Sequence, residues 1–272
     1  MCRSADEFKN RFLQASDYGI GYDCKFIVGP ENNVVEGHKF LFSVASEVFQ
    51  AMFYGDLKEE STVKIEDLDA EGFKAMKHYI YTGEVNFTSA IHALSAYIAA
   101  RKYLISQLMR ECISYCQKQL NPSQVLQFYE TCVTHNITEF DELCLNIIEE
   151  KTDQIIESDY FPFAQAETIQ LILKSRSLSL QSEIEVFDLF EKWALAEADR
   201  TRLRDGDLAS SFNHLKKYVR FLTISSEEFT ERIEQSLLLT PTEKNAIESN
   251  LSQFNPKPMP LDLSMIRQQQ LL

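Results

Sequence analysis

The apolar residues that follow Asn121 recur at helical spacing in one segment after another. Each segment opens on a polar residue or on Asn-Pro, which are typical starts of helices. A chain with this pattern must bury one apolar stripe per helix, and antiparallel helical hairpins do so with short connections. The pattern therefore predicts an all-helical domain over 121–251, built from "NPSQVLQFYETCVTHN", "TEFDELCLNIIEEKTDQII", "AETIQLILKS", "SEIEVFDLFEKWALAEADR", "SFNHLKKYV" and "SSEEFTERIEQSLLL".

The first 120 residues instead mix strand and helix patterns. "DCKFIV" and "VVEGH" alternate in polarity and are joined by the turn sequence "PENN", which predicts a hairpin. A further short strand is predicted at "TVKIEDL", and helices are predicted at "DEFKNRFLQA", "AEGFKAMKHYIYTG", "TSAIHALSAYIAARKYL" and "SQLMRECISYCQKQL". This part of the chain is therefore expected to form a mixed α/β domain over 1–120.

Between the hairpin and the next strand, apolar residues from Leu41 to Phe53 recur at helical spacing. Ser46 and Glu47 interrupt this run. A serine hydroxyl can bond the first free amides of a helix, and an acid suits its positive end. We therefore expect Ser46 to cap a second helix within the run.

The last segment, 252–272, has three prolines in five residues and no apolar periodicity. Proline favours extended backbone and cannot continue a helix. We predict a flexible tail here.

Charge and motif content exclude several classes of function. The net charge of −14 would repel a phosphate backbone, and no basic patch offsets it. The eight glycines do not form a phosphate-binding loop, and no nucleophile elbow or HExxH motif is present. We expect neither an enzyme nor a nucleic-acid-binding protein.

Cysteine and histidine spacing offers one candidate metal site, formed by Cys112, Cys116, Cys132 and His135. The spacing departs from that of paired zinc knuckles, and Cys112 and Cys116 share a helix face with apolar residues. We therefore expect buried thiols, with no metal and no cofactor. The sequence has no apolar stretch suited to a signal sequence or a membrane span, so we expect a soluble intracellular protein.

Four features of the first half resemble the BTB (POZ) domain family: Asp23 before the hairpin, "VVEGHKF", "SEVFQAMF" and "YIYTGEV". The second half resembles the BACK region that follows BTB in many adaptors, through "EVFDLFEKWALAEADR" and "VRFLTIS". Leu222 stands where that family usually has proline. The resemblance implies an α+β BTB/POZ domain, in which helices pack on a small sheet, over 1–120. An all-α BACK domain of helical hairpins would follow over 121–251, and then the tail over 252–272.

Members of this family commonly form homodimers through the N-terminal helix and strand. The resemblance thus assigns a dimer interface to the apolar stripe of Phe8, Phe12 and Leu13, and to a charged pair of Asp23 with Lys39. It also gives His38, at the start of the helix after the hairpin, a structural role in which the ring satisfies buried backbone groups.

Many BTB-BACK proteins bind cullin-3 through a motif of an apolar residue, any residue and glutamate, which Leu57-Lys58-Glu59 matches. The implied cullin-binding residues are Phe53, Tyr54, Leu57, Glu59, Leu126 and Tyr129. The stretch from Leu57 to Glu71 holds two lysines and six acids, and could be either a docking rim for a basic partner or a solvated edge. The resemblance implies a non-catalytic, homodimeric adaptor that presents an unknown protein substrate for ubiquitylation, in the cytoplasm and also in the nucleus.

The family's usual substrate-binding modules are not seen, because no repeat of about 50 residues appears. The receptor surface is then the helical half or the tail, or the chain is a fragment of a longer protein.

The tail offers an alternative function. Pro260, Leu261, Asp262, Leu263 and Ser264 spell "PLDLS", which matches the motif recognised by corepressors of the C-terminal-binding-protein family. A proline-rich extended segment loses little entropy on docking. The alternatives are thus a transcription-linked scaffold that recruits a corepressor and an unstructured tail.

Overall fold

The computed structural model describes residues 3–56, 61–175, 177–252 and 256–266, with side chains for all of these except 3–8 and 205. The chain forms two compact units, 1–120 and 121–272. The boundary lies where the mixed pattern of the sequence gives way to continuous helical stripes.

The first unit contains a three-stranded sheet of β1 (Cys24–Val28), β2 (Asn33–Gly37) and β3 (Thr62–Ile65), in the order β2-β1-β3. The predicted hairpin is confirmed, since β1 and β2 pair antiparallel with Phe26 opposite Val35. β1 and β3 pair in parallel. Alternate residues of β1 are buried, so one face of the sheet points into the core.

Six helices complete the described part of this unit: α1 (Arg3–Asp17), α2 (Lys39–Ala45), α3 (Glu47–Tyr54), α4 (Ala70–Thr82), α5 (Ala90–Lys102) and α6 (Ser106–Gln119). Their core is aromatic. The Phe26 ring lies with its centroid 4.9–6.0 Å from four other phenylalanine rings, those of Phe42, Phe49, Phe53 and Phe73.

Ser46 separates α2 from α3, as the sequence predicts. Its hydroxyl accepts a hydrogen bond from the Phe49 amide (3.3 Å) and donates one to the Tyr103 carbonyl (2.6 Å). The first bond caps α3, and the second ties this cap to the end of α5.

His38 precedes α2 and is held by two elements distant in sequence. The Tyr81 hydroxyl lies 3.0 Å from the His38 amide and 2.7 Å from Nδ1, while Nε2 lies 2.8 Å from the Ile20 carbonyl oxygen. The hydroxyl accepts from the amide and donates to Nδ1, so Nε2 carries the ring proton and donates to the carbonyl. The ring thus joins the segment before β1 to α4, which is a structural role.

The second unit is helical, with α7 (Val125–Thr134), α8 (Asp141–Glu150), α9 (Thr152–Ile156), α10 (Ala166–Lys174), α11 (Glu183–Thr201), α12 (Leu208–Ser211), α13 (Asn213–Lys216), α14 (Ser226–Glu228) and α15 (Pro241–Leu251). Short 3₁₀ turns occur at Phe161–Phe163, Asp205–Asp207 and Phe221–Thr223, and a π-helical turn at Phe229–Ile233. Three predicted helices are therefore broken. "TEFDELCLNIIEEKTDQII" forms α8 and α9, "SFNHLKKYV" contributes to α12 and α13, and "SSEEFTERIEQSLLL" forms α14 and the π-helical turn. No helix in the described ranges is both long and apolar enough to cross a membrane.

Buried polar contacts join helices in the core of this unit. The Trp193 indole donates a hydrogen bond to the Ala164 carbonyl (2.8 Å), which joins α11 to the segment before α10. Lys216 and Glu243, both buried, form an ion pair with 2.5 Å between Nζ and Oε1. Glu243 also bonds the amide and hydroxyl of Thr240, which caps α15.

The tail differs from the prediction of a flexible segment, because residues 256–266 dock on the second unit. The Lys257 backbone bonds the Ser249 and Asn250 side chains of α15. The Asn213 side-chain amide donates to the Asp262 carboxylate (3.1 Å). Leu263 is only 5% exposed, so the described part of the tail has a fixed place in this unit.

We predict that Tyr81→Phe lowers the free energy of unfolding by about 1–3 kcal/mol, because it leaves the His38 amide and Nδ1 without a partner. Urea unfolding followed by circular dichroism would measure the change. Tyr18→Phe is the matched control, since the Tyr18 side chain is exposed, and a change below about 0.5 kcal/mol is expected. Equal stability of the two variants would contradict the structural role of the His38 network.

We predict that Leu263→Ala destabilises the second unit by about 2 kcal/mol or more, because it opens a cavity under a buried side chain. Leu261→Ala, at a fully exposed leucine of the same segment, should leave stability unchanged. Fluorescence of Trp193, the single tryptophan of the chain, reports unfolding of this unit. A flexible tail would give the opposite result, with both variants as stable as the parent.

Candidate interaction surfaces

The predicted cullin-binding motif falls between α3 and β3. Leu57 and Glu59 lie outside the described residues. Next to them, Tyr54 ends α3 and is 59% exposed, so its ring is available to a partner. Phe53 is 4% exposed and contacts Phe26 and Phe49, so it holds α3 in place and is not a surface contact.

The other two predicted cullin-binding residues lie on α7. Leu126 is 1% exposed and belongs to the core, because its position on α7 faces inward. Tyr129 is half-buried, and burial, with a smaller contribution from Asp141, raises the pKa of its hydroxyl. Of these two α7 residues, only Tyr129 is accessible to a partner.

The acidic stretch before α4 has structural roles that a docking rim does not require. Three of its carboxylates pair with lysines, Glu66 with Lys64, Asp67 with Lys102 and Glu71 with Lys74. Asp69 caps α4 by accepting from the Gly72 amide (2.9 Å). These contacts favour the interpretation of a solvated edge for residues 61–71.

The predicted dimer stripe on α1 is half-buried against its own unit. The side chain of Phe8 lies outside the described side chains, while Phe12 and Leu13 are each partly covered. Leu13 borders a groove with His78 and Tyr81 of α4. A partner would therefore meet only part of this stripe.

The predicted charged pair of Asp23 with Lys39 takes a different form. The Asp23 carboxylate accepts from the backbone amide of Lys39 (2.7 Å), at the start of α2. The Lys39 ammonium instead donates to the Ser61 hydroxyl (3.0 Å) and lies 5.3 Å from the centroid of the Phe53 ring. The carboxylate thus satisfies a free amide at the start of α2.

Sequence analysis missed an exposed apolar face on α2. Phe40 and Val44, four residues apart, are 66% and 71% exposed, while Phe42 is fully buried. The signal was present in the helix sequence "KFLFSVA", whose apolar residues surround the axis and cannot all face one core. Contiguous exposed apolar residues of this kind often mark a protein–protein interface.

The cysteines of the candidate metal site on α6 lie in buried positions. Cys112 and Cys116 are fully buried in α6, and burial raises the pKa of both thiols, to about 12 for Cys116. Within the described residues, no three His, Cys, Asp or Glu side chains form a group able to hold a metal ion.

In the "PLDLS" motif, Leu263 and Ser264 are buried and Asp262 is hydrogen-bonded, so the motif is not an accessible extended peptide here.

Comparison with known proteins agrees with this architecture. Residues 12–120 match the family model of the BTB/POZ domain, and residues 125–234 match the model described as "BTB And C-terminal Kelch", or BACK. The chain is 29% identical over 235 residues to human BTB/POZ domain-containing protein 3 and 28% identical over 230 residues to human BTB/POZ domain-containing protein 6. The zebrafish (Danio rerio) BTB/POZ domain-containing protein 6-B is 29% identical over 232 residues.

These alignments cover 83% of this chain but only 44%, 42% and 47% of the three relatives. The chain thus spans less than half the length of the curated relatives it matches. The two matched domains follow one another directly, and one lies in each structural unit, although the second unit continues past the BACK match to residue 272. The chain therefore contains a BTB/POZ domain over residues 12–120, followed by a BACK domain over residues 125–234.

Proposed function

We propose that this protein is a non-catalytic, homodimeric adaptor that links cullin-3 to a protein substrate for ubiquitylation. The observation that carries the proposal is the direct succession of BTB and BACK domains, with Leu57-Lys58-Glu59 after the α3 helix. Such an adaptor works by raising the effective concentration of substrate near the ligase, so it needs binding surfaces and no reacting groups. It would act in the cytoplasm, and also in the nucleus.

The cullin-binding surface in this proposal is built around the end of α3. Tyr54 offers an exposed ring there, and Leu57 follows three residues later as the apolar anchor. Tyr129 would extend the contact from α7. An apolar anchor at the centre of an interface commonly supplies most of the binding energy.

The homodimer in this proposal uses the exposed face of α2 together with α1. Phe40 and Val44 present apolar area next to Asp23 and Lys39, the residues that the family resemblance places near a dimer interface. A two-fold interface brings the same patch of both subunits together, so one apolar face on α2 can cover its own copy.

The corepressor alternative has weaker support. Its motif, Pro260 to Ser264, is present in the sequence, but Leu263 and Ser264 are buried in the second unit. A corepressor could bind the motif only after this segment leaves its place, and that step would cost the burial of Leu263.

We predict that Leu57→Asp weakens binding to the purified cullin-3 N-terminal domain by tenfold or more, because truncating a central anchor costs about 2 kcal/mol or more. Isothermal titration calorimetry would measure the affinity. Leu195→Asp is the matched control, since Leu195 is an exposed leucine of the second unit, and its affinity should equal that of the parent. The adaptor function is refuted if the unmutated chain shows no binding.

We predict that the chain is a dimer and that Phe40→Asp combined with Val44→Asp makes it a monomer at micromolar concentration, because two carboxylates would face their own copies across the two-fold axis. Light scattering after size-exclusion chromatography would give the mass. Leu195→Asp combined with Leu237→Asp adds the same charge at two exposed positions of the second unit and should remain dimeric. A monomeric parent, or a dimeric double variant on α2, would contradict this interface.

A further inference from the structure

A groove of about 660 Å³ crosses the second unit between α9, residues 178–181 and α11. Its floor is apolar, since Leu178 and Leu189 are buried there and Ile156 and Leu180 line the sides half-buried. The volume lies in the range that binds small ligands or a few residues of a peptide. The groove therefore has the size and the floor of a binding site.

The rim of this groove is acidic. Among the described residues, four carboxylates line it against one ammonium, that of Lys192; the carboxylates belong to Asp153, Glu157, Glu185 and Asp188. Lys192 is already engaged, because its ammonium donates to the Ile156 carbonyl (2.8 Å) and to the Glu157 carboxylate (2.9 Å). This pair ties α11 to the end of α9 and leaves the rim with excess negative charge.

The other three carboxylates differ in how far a hydrogen-bond donor or a cation balances their negative charge. Glu185 accepts from the Gln181 amide (2.7 Å), and Asp188 pairs with Arg232 Nε (2.8 Å). Burial raises the pKa of Asp188 although Arg232 acts to lower it, so this carboxylate is not fully stabilised by its partner. Asp153 is exposed and has no hydrogen-bond or ion-pair partner in the described part of the chain. A cation in the groove would meet Asp153, whose charge no described side chain balances, and Glu185, whose hydrogen-bond donor is a neutral backbone amide.

We propose that this groove binds a basic linear peptide, in which an apolar side chain on the floor is flanked by arginine or lysine on the rim. The charge complementarity selects the partner, because an acidic or neutral peptide would lose the pairing with Asp153 and Glu185. The apolar floor supplies an anchor, and the charged rim around it supplies register and speeds association.

The proposal rests on the adaptor function and deepens it, since it assigns substrate recognition to the BACK domain. The residues that line the groove lie on α9 and at its C-terminal end, on α11, and at positions 178–181. None of them belongs to α3, to α7 or to the exposed face of α2. The substrate and cullin-3 would thus contact different residues of this chain.

Fluorescence anisotropy with the full chain tests the proposal. The probe is a fluorescein-labelled octapeptide that alternates leucine with arginine and lysine. One control peptide carries glutamate in place of every arginine and lysine, and another carries glycine in place of every leucine. We expect micromolar binding of the basic probe, weaker at higher salt, and at least about tenfold weaker binding of each control peptide.

Two variants of groove residues and one control variant test whether the probe binds in the groove. Asp153→Lys reverses an exposed, unpartnered rim charge and should weaken the basic probe by about tenfold. Asp199→Lys makes the same reversal at an exposed position farther along α11 and should bind like the parent. Leu180→Asp, on the side of the groove, should also weaken binding, and thermal unfolding would show that the variant is folded.

Three outcomes would overturn the proposal: no binding of the basic probe, equal binding of the glutamate peptide, or equal loss in Asp153→Lys and Asp199→Lys. Loss of self-association in Asp153→Lys would assign the groove to a second copy of the chain and also overturn it. The peptide assay contains no cullin-3, so its failure is distinguishable from failure of the adaptor function, which the calorimetry with cullin-3 reports.

Discussion

The ring of Phe26 is the contact on which the first unit depends. A sheet of three strands cannot form a core by itself, so its buried face must be covered by helices. Phe26 is fully buried on the central strand and contacts phenylalanines from α2, α3 and α4. Because these rings fix which side of each helix faces inward, they also fix which side is exposed at the surface. The exposure of Phe40, Val44 and Tyr54 is a consequence of that core.

The second unit reaches a defined arrangement through polar contacts as well as apolar burial. Lys216 and Glu243 are buried together, and the carboxylate also caps α15. A buried pair of this kind adds little net stability, but removing either partner is costly, so it favours one arrangement of α13 and α15. The tail docks on these same two helices, through Asn213 on α13 and through Ser249 and Asn250 on α15. Its fixed place follows from the order of the helices beneath it.

Sequence pattern was sufficient for the hairpin, for most helices and for the fold class of each half. It was insufficient for the helix breaks of the second unit and wherever the partner of a side chain is distant along the chain. The hairpin, the Ser46 cap and the helical second unit follow from local periodicity and turn chemistry. The bond between His38 and Tyr81 joins residues 43 positions apart, and only the resemblance to a family pointed to a structural histidine. Local pattern also made the tail appear flexible, since three prolines exclude a helix but do not exclude docking.

The candidate surfaces show the same limit, because apolar character alone does not say which face of a helix is buried. Phe53 and Leu126 were predicted as contacts and lie in the core, while Phe40 and Val44 were not predicted and are exposed. Charged residues show the same limit, because the sequence does not say which of them are paired in the folded protein. The acidic stretch before α4 stood out in the sequence, yet its described carboxylates are engaged by lysines and by a helix cap. The rim carboxylates of the second unit come from separate segments, so no window of sequence shows them together. The net charge of −14 therefore becomes informative only in the folded protein, where the acids engaged in ion pairs and helix caps can be told apart from those exposed at a surface.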